Sequence, residues 1–438
     1  MKRVLVIAYY FPPMGLSGVQ RTVKFIKYLP EHGWEPHVLT VRPVLYYAED
    51  RTLLEETGSC RITRTGSLDP LRIAHRLRRS ARKQSIRETK GDTVRRLHRI
   101  NRHLLPWLSL PDTKLPWIPF AIHRASRIIS ERNIDVILTT SPPHSAHLAG
   151  FALKRLTGIP WVADFRENWL AESYEKLPTS LHRIINKWMM KRVLREADRL
   201  ITVSGPITGD LKKRSGRDNT LFSTISNGFD RDDFSKLRRM RDERFRITYC
   251  GTMSPIRNPE PFLRNLALLF GHRPDLRQKI RVFLVGSVYN MDLKAAIHRL
   301  GLENEVVLTG YLPHHRSLEQ LINSDLLLLL IDPASSPGMV TGKIYEYLVS
   351  GVPILGLIPS GEAERLILTH NRGRIVYPGG EERIQEILLH YYNKWKAGDS
   401  QKTEPDFDSF SRFDRRYLAK RLAGVFDAFK PEEMQSEA

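Results

Sequence analysis

Short apolar runs recur along the chain, and between them lie stretches whose apolar residues fall at helical spacing. VLVIAYY opens the series, followed by the loop FPPMGLSGVQ and then RTVKFIKYLPEHG, an amphipathic helix by its apolar spacing. WEPHVLTV is the next strand, so the chain begins as strand, loop, helix, strand. Strands continue at DVILTTS (135–141), WVADF (161–165), RLITVS (199–204) and TLFSTIS (220–226). A second series starts at FRITYCG (245–251) and continues through IRVFLVGSV, EVVLTGYL, DLLLLLID, VPILGLIP and RIVYP. Two successive strand–helix series predict an α/β chain of two doubly wound domains, each with a ligand edge at its strand C-termini. The charged stretch RDDFSKLRRMRDER is the expected linker, and FSRFDRRYLAKRLAGVFDAF a terminal amphipathic helix.

Composition narrows the class. At 438 residues and 41% apolar content the chain has room for two or three cores. Its two cysteines, Cys60 and Cys250, make no disulfide framework, lie in no Cys/His cluster and fit a reducing compartment. The apolar start lacks a small-residue cleavage site, so it reads as a strand and not a signal peptide. DLLLLLID is too short to span a bilayer.

Lysines and arginines exceed acidic residues by 69 − 48 = +21. That balance suits nucleic acid, anionic lipid or an anionic substrate. Between Leu71 and Pro106, 12 Lys/Arg face only Glu88 and Asp92. Leu97, Ile100, Leu104, Leu105 and Leu108 recur near helical spacing beside those charges, and Trp107 and Trp117 follow. The segment 71–117 reads as a basic amphipathic element resting on the cytoplasmic face of an anionic membrane, with a solvated helical hairpin as the alternative. No nucleic-acid recognition motif accompanies the charge.

The chemistry concentrates at strand ends. In TGKIYEYLVSGVPILG (341–356), Ile344, Tyr345 and Leu348 form an apolar helical face, and Gly351 and Pro353 end the helix. Lys343 stands in the first turn, where a cation is unfavourable unless an anion neutralises it. Glu346 lies three residues on. The pair reads as a phosphate ligand and a hydroxyl acceptor, or as a solvated ion pair. Gly15 and Gly18 follow the first strand without forming G-x-G-x-x-G, so a nicotinamide fingerprint is absent. Asp164, Arg166 and Glu167, in ADFRENW, follow another strand; Arg166 suits a developing phosphate charge, with Asp164 binding hydroxyls or orienting it. A local Asp–Arg–Glu cluster is the alternative. His144 lies just beyond DVILTTS; with Gly15 and Gly18 it is the expected acceptor or phosphate loop, and a structural histidine is the alternative. Gly251 and Arg257, in CGTMSPIRNPEPF, make a diphosphate site of glycine turn, cation and helix start. Tyr311, in LTGYLPHH, stacks on a base or belongs to the core.

Taken in order, YYFPPMGLSGVQR, SPPHSAH, PWVADFRENW, ISNGFD, YCGTMSPIRNPE, VVLTGYL and GKIYEYLVSGVPIL resemble the GT-B glycosyltransferases of family 4 over nearly the whole chain. The resemblance implies two Rossmann-like domains facing an interdomain cleft. It implies residues 1–232 as the acceptor-side domain, 243–403 as the nucleotide-sugar domain, and 404–430 as a terminal helix packing back on the first. It implies a retaining, metal-independent hexosyl- or N-acetylhexosaminyltransferase with no cofactor beyond its nucleoside-diphosphate sugar. A glycan or lipid-linked acceptor, cell-surface polysaccharide assembly and a cytoplasmic, peripheral location follow, with no nucleic-acid partner. A nucleotide-sugar epimerase of the same fold and a non-catalytic sugar-nucleotide binder are the alternatives.

Carried onto this sequence, the family's E-x7-E motif places its second glutamate at Glu346, the ribose position. The first falls at Gly338, so the acid beside the donor sugar is absent, and backbone from Gly338 to Gly342 is left to take its place. The usual arginine after the strand-end glycine is Thr252 here, and Arg257 lies near the site of the usual lysine. Arg166 stands where many relatives carry histidine, in agreement with a subgroup showing D-F-R-D/E-x-W.

Overall fold

The computed structural model describes residues 1–15, 17–44, 49–69, 72–73, 75, 110–170, 179–235, 237–240, 243–335, 337–399 and 402–429. The chain divides into two compact units, Met1–Ser226 with Leu418–Ala438, and Asn227–Tyr417.

The first unit is built on a parallel sheet of β1 (Lys2–Ile7), β2 (Trp34–Val41), β3 (Arg61–Thr65), β4 (Val136–Ser141), β5 (Trp161–Phe165), β6 (Arg199–Thr202) and β7 (Phe222–Thr224). The strand order is β3-β2-β1-β4-β5-β6-β7. Helices α1 (Ser17–Tyr28), α2 (Ile118–Arg132), α3 (Ser145–Thr157), α4 (Ser180–Glu196) and α5 (Gly205–Ser215) alternate with the strands. The order reverses between β1 and β4, so the loops leaving these strands flank the crevice where open α/β sheets bind ligands.

The second unit repeats the arrangement with β8 (Phe245–Cys250), β9 (Ile280–Val285), β10 (Val306–Gly310), β11 (Leu326–Leu330), β12 (Ile354–Leu357) and β13 (Gly373–Val376), in the order β10-β9-β8-β11-β12-β13. Its helices are α6 (Glu260–His272), α7 (Leu293–Arg299), α8 (His314–Ile322), α9 (Lys343–Val349), α10 (Glu362–Thr369) and α11 (Arg383–Lys396). Here the reversal lies between β8 and β11. The leucine run of β11 shows why its sequence is continuously apolar. Leu326, Leu328 and Leu330 enter one hydrophobic cluster, and Leu327 and Leu329 another, as a strand covered on both faces requires.

Helix α12 (Arg415–Asp427) supplies Leu418, Leu422 and Phe426 to the core of the first unit. Phe426 packs edge-on against Trp34, and Asp427 accepts from Lys2 Nζ at 3.0 Å and from Trp34 Nε1 at 3.2 Å. Residues 404–417 lie in the second unit, where Phe407, Phe410 and Phe413 pack.

Three sequence readings change. Strand β3 was not foreseen: it is an edge strand of sequence RITRT, paired on one side only, with no apolar run to mark it. The expected linker holds a short helix, Arg231–Phe234, whose Phe234 is buried in the second unit. Trp117 is no interfacial residue; it is fully buried, and its Nε1 donates to Thr65 Oγ1 at 2.7 Å. Trp107 and the apolar stripe from Leu97 to Leu108 lie outside the described residues. Among the described residues no helix is long and apolar enough to cross a membrane.

Candidate functional site

In the first unit the loops after β1, β4 and β5 meet through one guanidinium. Arg166 Nε donates to the Ser141 carbonyl at 2.8 Å, Nη2 to Pro142 at 2.9 Å, and Nη1 to Gly18. Three of its five N–H groups are thereby engaged with backbone. A Cβ at Gly18 would lie 3.1 Å from Arg166 Nη1, a tight contact that the glycine avoids. Gly15 stands earlier in the same loop, just before α1.

Asp164 does not orient Arg166, contrary to one sequence reading. Its carboxylate takes Arg21 in a fork, Nη2 at 2.9 Å and Nε at 3.1 Å, and the Thr140 hydroxyl at 2.9 Å. Arg21 and Asp164 are 1% and 2% exposed, so this carboxylate is a buried structural partner and not a surface acceptor for hydroxyls. In the alternative Asp–Arg–Glu cluster, both carboxylates do act on the Arg166 charge, but Asp164 spends its hydrogen bonds on Arg21 and Thr140.

Glu167 Oε1 lies 3.8 Å from His144 Nε2. Burial, with Arg166 second, pushes His144 down to about 3, so the imidazole is neutral and this contact is not an ion pair. His144 stacks on Trp169 with ring centroids 4.8 Å apart. His147 is also held neutral by burial, and its Nδ1 meets Thr139 Oγ1 at 2.8 Å. The start of α3 beside His144 is already occupied. Asp112 accepts from the Ser145 backbone N–H and hydroxyl, each at 2.8 Å. A phosphate there would face that carboxylate, which removes the phosphate reading of the His144 loop.

In the second unit the loops after β8 and β11 bring two cations together. Lys343 opens α9, and its ammonium lies over the strand-end Gly251: a Cβ on Gly251 would sit 2.7 Å from Lys343 Nζ and 2.6 Å from the Tyr249 hydroxyl. Gly251 is therefore required for the lysine to reach the strand end. Burial first, and the neighbouring Arg257 second, lower Lys343 from 10.5 to about 8. Among the described residues Lys343 makes no ion pair. A buried ammonium lowered by a neighbouring guanidinium at a sheet's switch point is the electrostatic form of an anion site.

Glu346 makes no ion pair with Lys343 among the described residues, although its charge favours the ammonium. Its Oε1 accepts from His314 Nε2 at 2.9 Å, and His314 Nδ1 faces Asp233 Oδ2 at 3.6 Å. The second Glu346 oxygen has no hydrogen-bond partner among the described residues. Gly342 precedes α9 with φ −58°, and a Cβ there would meet nothing within 4 Å. Gly338 is buried in the loop between β11 and α9. The structure thus groups Gly251, Arg257, Gly342, Lys343 and Glu346 at one strand edge.

Sequence reasoning assigned no role to Arg21, Thr140, His147, Trp169, Asp233 or His314. His314 stood in the strand-turn segment LTGYLPHH, and Arg21 closes the glycine loop, so both lay beside noticed residues; nothing local marks their partners.

The family described as Glycosyltransferase Family 4 matches residues 16–233. No curated protein matches the chain. Among solved structures it is similar to WaaG, described as a glycosyltransferase involved in lipopolysaccharide biosynthesis, with 13% identity, a TM-score of 0.63, and 97% of this chain and 100% of that one covered. It is similar to S. aureus TarM in complex with UDP and α-GlcNAc-glycerol, at 10% identity and TM-score 0.62, covering 98% and 100%. It is also similar to a UDP-N-acetylglucosamine 2-epimerase, so described, from Listeria monocytogenes, at 12% identity and TM-score 0.56, covering 100% and 98%. At such identities the likeness establishes the GT-B fold.

Proposed function

The chain belongs, through residues 16–233, to Glycosyltransferase Family 4, and on that premise we propose that it is a retaining, metal-independent glycosyltransferase. It moves a hexosyl or N-acetylhexosaminyl group from a nucleoside-diphosphate sugar to a glycan or lipid-linked acceptor in cell-surface polysaccharide assembly. It works in the cytoplasm, peripherally on the inner face of the plasma membrane. The observation that carries the reading is the buried Lys343 ammonium over Gly251, lowered by the neighbouring Arg257, with Glu346 one helical turn along α9. Lys343 and Arg257 hold the diphosphate and stabilise its departure, Glu346 takes ribose hydroxyls, and Gly251 and Gly342 admit the ligand to the backbone. With Gly338 in place of an acid, backbone of that loop faces the sugar. The first unit takes the acceptor.

An epimerase is the second reading, favoured by the fold likeness to the Listeria enzyme, while the glycine at position 338 favours a non-catalytic binder. The test is product analysis with purified protein and nucleotide sugars, with and without a glycan acceptor. Transfer that needs the acceptor and keeps the anomeric configuration supports the proposal. Altered sugar without acceptor supports the epimerase, and donor binding without any turnover supports a non-catalytic binder.

The depressed Lys343 gives a pH prediction. In the empty protein, between about 8 and 10.5, the unfolded chain holds a proton that the folded chain has released, so this group adds stability as pH rises through that window. A bound diphosphate favours the charged ammonium and reverses the demand. Affinity for a nucleotide sugar, whose diphosphate diester keeps its charge through this range, is therefore flat below about pH 7 and falls as pH rises past about 8, by at most about tenfold per unit. Calorimetry across pH checks this, and Lys343→Ala removes the dependence.

Arg166 gives a kinetic one. Arg166→Ala releases three carbonyls that fix the strand-end loops of the first unit, so turnover falls by about a hundredfold while donor affinity changes by less than about threefold. Normal turnover with a lowered unfolding temperature would reduce Arg166 to a purely structural tie.

A further inference from the structure

Helix α4 is apolar on two opposite faces. At about 100° per residue, Asn186, Met189, Met190, Val193 and Leu194 lie on one side, and all are buried. Leu181, Ile184, Ile185 and Trp188 lie on the other, at the i, i+3, i+4, i+7 spacing of a single stripe, and are 62%, 64%, 37% and 63% exposed. The core accounts for the first face. The fold of the unit needs nothing apolar at the second, and a contiguous exposed stripe of large side chains marks an interaction surface.

The charges around the stripe identify its partner. Lys187 borders it, Lys191 and Arg195 continue it toward the helix C-terminus, and the exposed Arg183 lies farther round the helix on the side of Lys187. The helix has one acidic residue, Glu196, and that carboxylate is engaged by Arg155 at 2.9 Å and by Arg192 at 3.7 Å. Among the described residues Arg183, Lys187, Lys191 and Arg195 make no ion pair. We infer that the outer face of α4 docks on an anionic lipid surface, with Leu181, Ile184, Ile185 and Trp188 entering the interface and the four cations at the headgroups. An apolar stripe with a tryptophan and a rim of unpaired lysines and arginines is the composition of a helix lying in the membrane plane. The long cationic stems reach headgroups while the apolar side chains stay below them. A second copy of the same face would bring like charges together, which opposes self-association.

The docked helix is joined to the candidate site of its unit. Asn186 Oδ1, on the buried side, accepts from Trp169 Nε1 at 2.6 Å, and Trp169 stacks on His144. Lipid docking thus sets the strand-end cluster near a membrane surface. It rests on the proposed transfer only for its use, not for its existence.

The experiment is cosedimentation of the full chain with phosphatidylcholine vesicles, with or without about 30% phosphatidylglycerol, at about 50 and 500 mM salt. The wild type binds the anionic vesicles at low salt at least about tenfold better than the neutral ones, and the preference shrinks at high salt. Leu181→Ser with Ile184→Ser and Trp188→Ser loses about tenfold or more in binding to anionic vesicles. Should that variant fail to fold, Arg183→Gln with Lys187→Gln, Lys191→Gln and Arg195→Gln decides the matter, because it must lose the preference for anionic lipid. Diphosphate binding measured on the same preparations stays at the wild-type level, which separates failure of docking from failure of the transfer reading. Wild type that ignores anionic vesicles, variants that bind them as the wild type does, or a dimer that the serine variant dissociates would each overturn the inference.

Discussion

Asp164→Ala is expected to destabilise the first unit by about 3–5 kcal/mol, the cost of leaving a buried charge without its partner. Arg21 would keep only its bond to the Ser226 carbonyl at 2.7 Å, with the rest of its guanidinium facing the vacated carboxylate position. Thr140 would lose its acceptor as well. Against a total stability of about 5–15 kcal/mol, such a loss leaves the unit marginal at best. Replacing both members by apolar residues, Arg21→Met with Asp164→Leu, recovers most of it, because the penalty arises from the unpaired charge more than from the pair itself. Urea unfolding of the variants checks both statements. A change below about 0.5 kcal/mol in Asp164→Ala would mean that the carboxylate is not structural and is available to substrate.

Lys343→Ala is expected to weaken nucleotide-sugar binding by about ten- to a hundredfold, the worth of a charge-assisted contact to phosphate. Lys343 is not paired to a carboxylate among the described residues, so its removal leaves no uncompensated partner, and the unfolding transition of the second unit should hold or rise slightly. Glu346→Gln should act on the nucleoside part. It weakens binding of ligands with a ribose and spares inorganic diphosphate, which separates the two side chains by ligand instead of by magnitude. Both variants binding nucleotide sugar as the wild type does would remove the donor assignment.

How far the sequence could be read follows from the range of each interaction. β5 was placed residue for residue as WVADF, because a strand buried on both faces writes its own apolar run. The edge strand β3 wrote none. Lys343 and Glu346 were visible as a pair because they lie one helical turn apart, yet the partner that Glu346 takes, His314, stands 32 residues away. The same limit hid the role of Asp164. Its residue type and strand-end position suggested chemistry, while its actual partner, Arg21, is 143 residues distant. Trp117 was misread for a related reason: an aromatic next to a basic stretch looks interfacial until the Thr65 hydroxyl that satisfies its indole N–H is known. The outer stripe of α4 passed unnoticed because apolar residues on both faces blur the helical period that would have announced it.

The most direct measurement of the central claim is calorimetric titration of the wild-type protein with a nucleoside, its monophosphate, its diphosphate and the corresponding nucleotide sugars. A buried ammonium over a strand-end glycine, with a guanidinium near enough to lower it, predicts a stepwise gain, in which the diphosphate binds at least about tenfold more tightly than the monophosphate, and at least one nucleotide sugar binds as well as the diphosphate. Equal affinity for the mono- and diphosphate, or no binding of any nucleotide sugar, would contradict it.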